Sequence, residues 1–174
     1  MTRTRRLLVS AISLASAFAL FHAQLAAAVV TRGDDALRAG DLEGAMRLYE
    51  RAIALDPPSI VAADRLAFNL SMHHDREHAV RAIAVVTRAL RNGAGDAGLL
   101  ADRAFAELQL HEWRAAERDF ARAGSIAHDA RYEHFAARMA LHAGDRRAAL
   151  AYAQLALVSD PSFAPARAFI RTLR

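Results

Sequence analysis

The sequence contains no cysteine and no lysine. Without cysteine there can be no disulfide, thiolate metal site, cysteine nucleophile or lipidated cysteine anchor. Prolines number 4 and glycines 8 in 174 residues, and aromatics make up 7%. No useful length of chain alternates apolar with polar residues, so a sheet is not expected. Past the N-terminal segment serine is scarce. The Gly-rich stretch Asn92–Gly98 lacks the Lys-Ser/Thr that a phosphate loop needs, and no G-x-S-x-G elbow occurs. These absences point away from an enzyme, and neither a catalytic residue nor a cofactor is expected. Hydrophobic residues reach 54% against 24% charged, which excludes a disordered chain. The length suits one domain or one short repeat array.

The first thirty residues stand apart. Arg3, Arg5 and Arg6 precede fifteen uncharged, mostly apolar residues, Leu7 to Phe21. Small residues follow, and Ala26-Ala27-Ala28 offers an A-x-A cleavage site before Val29. That order reads as a secretory signal peptide over residues 1–28. The alternative is an uncleaved anchor, because Leu7–Val30 is 24 residues without Asp, Glu or Arg. Either way the expected address is the periplasm or beyond, and a membrane is a partner only if the segment stays. The whole chain carries +4; without residues 1–28 it has 20 basic and 19 acidic residues, a net +1. So small a charge gives little attraction for nucleic acid, which is not an expected partner.

A period near 34 residues runs through the remainder. Gly40-Asp41, His74-Asp75, His111-Glu112 and Gly144-Asp145 recur at separations of 34, 37 and 33. Five residues past the first of each pair stand Ala45, Ala79, Ala116 and Ala149. Four further on come Tyr49, Ile83, Phe120 and Ala153, and three beyond those Ala52, Val86, Ala123 and Ala156. Seven before each pair stand Gly33, Ala67, Ala104 and Ala137. Small residues at two fixed points let two antiparallel helices approach closely, and spacings of three and four give each a buried stripe. The acid of each pair belongs at the second helix's N-cap, and Gly40 and Gly144 suit left-handed C-terminal caps. The predicted helices are 29–39, 42–55, 59–72, 76–91, 97–110, 113–126, 129–143, 146–159 and 162–173.

The runs Gly33…Ala45-x3-Tyr49…Pro57, Ala104…Ala116-x3-Phe120 and Ala137…Ala149…Pro161 resemble the tetratricopeptide repeat, with Ala67…Ala79-x3-Ile83 as a looser unit. The resemblance implies an all-α solenoid of about four helical hairpins. Their expected bounds are 29–59, 60–96, 97–129 and 130–161, with a capping helix at 162–174. It also implies that the first helix of each hairpin lines a concave groove. The groove candidates are then Asp34, Arg38, Asp64, Phe68, Met72, Phe105, Gln109, Arg131, His134 and Arg138. Phe68, Met72 and Phe105 would anchor a peptide, and Arg131 and Arg138 would pair with its carboxylates. The alternatives are helix packing for the phenylalanines and an ordinary solvated face for the arginines. A grip on a C-terminal carboxylate through Lys and Asn is not expected, because Val30 and Asp34 occupy those positions.

His73, His74 and His78 are the dense group of possible metal ligands. His74 and His111, however, occupy the turn position held elsewhere by Gly, and His tolerates positive φ better than most residues. No metal is therefore expected. The expected function is a non-catalytic protein-interaction scaffold of a bacterial envelope, binding a partner protein or peptide. The alternative is a membrane-anchored accessory subunit of an assembly, export or secretion complex.

Overall fold

The computed structural model describes residues 3–91 and 95–173, with side chains from residue 16 onward. It is all-α: α1 Arg3–Arg38, α2 Leu42–Leu55, α3 Ile60–Ser71, α4 Arg76–Arg91, α5 Ala97–Gln109, α6 Trp113–Ala127, α7 Ala130–His142, α8 Arg146–Ser159 and α9 Ala164–Thr172. No strand occurs among the described residues. The first three residues of the expected Gly-rich loop, 92–94, lie outside the described residues, as do Met1, Thr2 and Arg174.

The first helix differs from expectation. It begins at Arg3 rather than at residue 29. The cause is local: no Gly or Pro occurs before Gly33, and Leu and Ala dominate the run, both strong helix formers. Other helix ends fall within two residues of the predicted positions. At α9 the start moves to Ala164, because the Asp160 carboxylate accepts bonds from the Ser162 amide (2.8 Å) and hydroxyl (2.7 Å), forming a turn.

The turns inside the hairpins follow one design. Gly40, His74, His111 and Gly144 all take left-handed backbone, with φ of 83°, 52°, 61° and 81°. Asp41, Glu112 and Asp145 then donate their amides back to Ala36, Glu107 and Ala140 at 2.8–2.9 Å, closing the preceding helix. The next helix starts on the same residue. Asp41, Asp75 and Asp145 accept from the amides of Gly44, His78 and Ala148 at 2.8–2.9 Å. Glu112 makes no such cap.

The chain divides into two compact units, Met1–Arg65 and Leu66–Arg174. In the first, the C-terminal part of α1 packs on α2, with Val29, Val30, Ala45, Tyr49 and Ala52 buried. Gly33 lies under the Tyr49 ring, where an added Cβ would stand 2.5 Å from Tyr49 Cε1. The Tyr49 hydroxyl donates to Asp34 Oδ1 (2.8 Å), and burial foremost pushes its pKa up to about 12, so it stays a donor. In the second unit, α4 to α8 each pack on the next helix. Leu100, Ala104, Ala116, Phe120, Ala123 and Met139 form its centre.

That unit also encloses charge. Arg103 donates from Nε and Nη2 to Asp119 at 2.5 and 2.9 Å, and from Nη1 to Thr87 Oγ1 at 3.2 Å. Glu107 lies beside this pair, 3.9 Å from Arg103 Nε, with Oε2 buried and unpartnered. Burial first, then the Asp119 charge, pushes its pKa up to about 7. A carboxyl that holds its proton more tightly when folded stabilises the fold at acid pH. That contribution fades as pH rises from the unfolded value, about 4.5, through about 7. His134 works the other way, because burial lowers its pKa, so a comparison with a neutral variant isolates Glu107.

Two outcomes are expected. Gly33→Ala should lose about 1–3 kcal/mol in denaturant unfolding by forcing Tyr49 aside; an unchanged midpoint would show that the ring has room. Glu107→Gln should gain stability relative to the parent as pH rises from 5 to 8, by up to about 3 kcal/mol. A difference that does not vary with pH would mean Glu107 titrates normally.

Candidate functional site

The sequence candidates fall into two groups. In the first unit, Asp34 is held from two sides, by the Tyr49 hydroxyl and by Arg65 Nε at 3.3 Å. Arg65 Nη1 also donates to Asp64 Oδ2 at 3.2 Å. Arg38 pairs with Asp35 at 2.7 Å on an exposed face, where such pairs contribute little. These residues serve α1, α2 and α3 themselves, and their charge is largely answered within the unit.

The second unit gathers the rest on its first helices. Phe68 and Met72, on the last turn of α3 and just past it, are 53% and 54% exposed. Ser71 sits between them, and its carbonyl accepts from Gln109 Nε2 at 2.6 Å, so the C-terminal end of α5 is tied to that of α3. Phe105, one turn back along α5, is half-buried. Its ring meets Phe120 and Phe135 edge-on, with centroids 5.0 and 5.4 Å apart. Phe105 therefore ties α5 to α6 and α7 while presenting part of its surface.

On α7 the three candidates differ. Arg131 is taken by Asp129, through Nε at 3.0–3.1 Å and Nη2 at 2.6 Å. The arginine holds the Asp129 pKa below the usual carboxylate range. His134 is half-buried between Phe163 and Phe169, at centroid distances of 5.7 and 5.5 Å, and its Nδ1 has no partner. Burial first and Arg138 second depress its pKa, so it is neutral near pH 7. Arg138 is exposed and has no ion-pair partner among the described residues. Apolar Phe68 and Met72, polar Gln109 and cationic Arg138 thus lie on or at the end of successive first helices, α3, α5 and α7.

The histidine group is held largely by its own turn. His73 and His78 stack with centroids 4.0 Å apart and planes 10° from parallel. His78 Nδ1 bonds Asp75 Oδ2 at 2.6 Å, and His74 spends its backbone on the turn.

Sequence spacing missed three features. Trp113, the lone tryptophan, stacks on His142 of the next hairpin (4.8 Å, 23°) and meets His111 edge-on (4.9 Å). The Arg103–Asp119 pair and the Tyr49–Asp34 bond were the others.

Taken together, closely crossed hairpins, left-handed turns and a closing ninth helix define the tetratricopeptide-repeat fold. Solved structures with this fold align over most of the chain. MamA matches with a TM-score of 0.74 at 18% identity, over 85% of this chain and 80% of that one. YrrB, described as a TPR protein with an unusual peptide-binding site, matches at 0.69 and 18%, over 83% and 74%. PilF of Pseudomonas aeruginosa matches at 0.69 and 17%, over 87% and 68%. At such identities the likeness establishes the fold. No protein-family model and no curated protein matches the sequence.

The aromatic cluster makes a direct prediction. Phe105→Ala should destabilise the protein by about 3–5 kcal/mol, since the ring supports both Phe120 and Phe135. Thermal unfolding checks it; a loss below 1 kcal/mol would make Phe105 a surface residue rather than a structural one.

Proposed function

We propose that this chain is a non-catalytic interaction scaffold of a bacterial envelope. It holds an extended or helical segment of a partner protein along the first-helix face of the second unit. The observation that carries this reading is the pairing of two half-exposed apolar side chains, Phe68 and Met72, with an uncommitted cation, Arg138. A partner segment with an apolar anchor and a carboxylate fits that order, because apolar burial supplies affinity and a charge-assisted bond fixes register. The peptide-binding site described for YrrB supports a peptide as the ligand class. The near-neutral balance without residues 1–28 supports a protein partner over nucleic acid.

Export is supported by the N-terminal order of arginines, apolar run and A-x-A site. A second reading keeps that segment as an anchor for an accessory subunit. It is favoured by the exposure of Phe18, Leu20 and Phe21 on a continuous α1. No helix among the described residues is long and apolar enough to cross a membrane.

Crosslinking in native envelopes identifies the captured protein, and variants then locate the contact. Phe68→Glu, Met72→Glu and Arg138→Glu should each weaken capture about ten-fold or more while leaving the melting temperature within a few degrees. Undiminished capture by all three would remove this face from the binding site.

A further inference from the structure

The residues around the A-x-A site are also residues of the folded repeat. Gln24-Leu25-Ala26-Ala27-Ala28 contains neither Gly nor Pro, and its alanines and leucine are among the strongest helix formers. In the structure α1 passes through it without a break, from Arg3 to Arg38. The turn is held in two ways. Ala26, Val29 and Val30 are buried, at 1%, 5% and 6% exposure. The Thr31 hydroxyl also donates to the Ala27 carbonyl at 3.1 Å, adding a side-chain bond across the Ala28–Val29 peptide. Just upstream the environment changes, since residues 16–21 are exposed on every face.

A peptidase that cuts after small residues reads its substrate as an extended strand, pairing with backbone N–H and C=O groups and seating alternate side chains in pockets. In a helix those groups are paired internally, four residues apart. Here, moreover, the first small side chain of the motif, Ala26, is turned into the core. The folded unit therefore withholds both the backbone and one of the two recognition side chains.

We infer that Ala28–Val29 is a processing site that folding of the first unit closes. Cleavage and the packing of α1 on α2 compete for the same residues, and this rests on the export reading above. The step is a hydrolysis. Water adds its hydroxyl to the Ala28 carbonyl carbon, the C–N bond breaks, and Val29 nitrogen takes the proton. A chain reached before it folds is cut and starts at Val29. A chain that folds first keeps the helix upstream of Ala28, with Phe18, Leu20 and Phe21 on its surface. The two forms in the export and anchor readings are then outcomes of one race.

The test uses the full chain and a bacterial type I signal peptidase in detergent micelles. One sample is diluted into the micelles directly from denaturant; the other is refolded first, and near-UV circular dichroism confirms that it stays packed in the detergent. N-terminal sequencing and mass follow the product. The unfolded sample should be cut at Ala28–Val29, and the refolded sample at least about ten-fold more slowly, as expected when cleavage must wait for local opening. The double variant Ala27→Gly, Ala28→Gly changes two exposed positions to weaker helix formers and should restore cutting of the refolded chain. Equal rates from both starting states would overturn the gate while leaving the export reading intact. No cutting from either state would overturn the export reading itself.

Discussion

The structure depends on helices crossing at residues no larger than alanine. Ala45, Ala79, Ala116 and Ala149 are fully buried at the same point of successive second helices. Ala67, Ala104 and Ala137 are buried on the facing first helices, and Gly33 holds that place in α1. A side chain of one carbon lets backbones approach until the neighbouring rows interlock. The space four residues on is then filled by whatever fits, Tyr49 and Phe120 in two units and Ala153 in the last. The first helices α5 and α7 pack on the helices before and after them, yet some first-helix side chains, such as Phe68 and Arg138, stay exposed.

Charge follows the same division between internal and external use. Most of the arginines considered at the groove positions, or next to them, are answered nearby: Arg38 by Asp35, Arg65 by Asp34 and Asp64, and Arg131 by Asp129. Arg103 goes further and lies half-buried in a two-point bond with Asp119, an arrangement suited to a planar guanidinium. Arg138 differs in having no such partner among the described residues. Its neighbour His134 is kept neutral by aromatic walls, so the cation at this end of the face is a lone point.

Much of this was legible in the sequence because a repeat compares a position with itself. The left-handed φ of His74 and His111 could be foreseen, since the same place holds Gly40 and Gly144. The aspartate caps followed from the same register. Three things were not readable. The continuity of α1 was obscured by a targeting-like pattern, although the lack of any breaker before Gly33 was there to see. The setting of His134 depends on Phe163 and Phe169, which arrive through the turn before α9 and through α9 itself and bear no periodic relation to α7. The capture of Arg131 by Asp129 comes from N-cap geometry that turns a carboxylate back over the first turn, two residues away. Spacing rules describe one helix face at a time. Contacts between three elements, like Phe105 with Phe120 and Phe135, need the folded chain.

The central proposal is that first helices bind a partner and second helices support them. Hydrogen–deuterium exchange on the chain alone and crosslinked to a captured protein tests it most directly. The account predicts added protection at residues 68–72 and around 105–109 and 134–138, with α4, α6 and α8 unchanged. Protection concentrated on α4, α6 and α8, with the first helices unaltered, would contradict it.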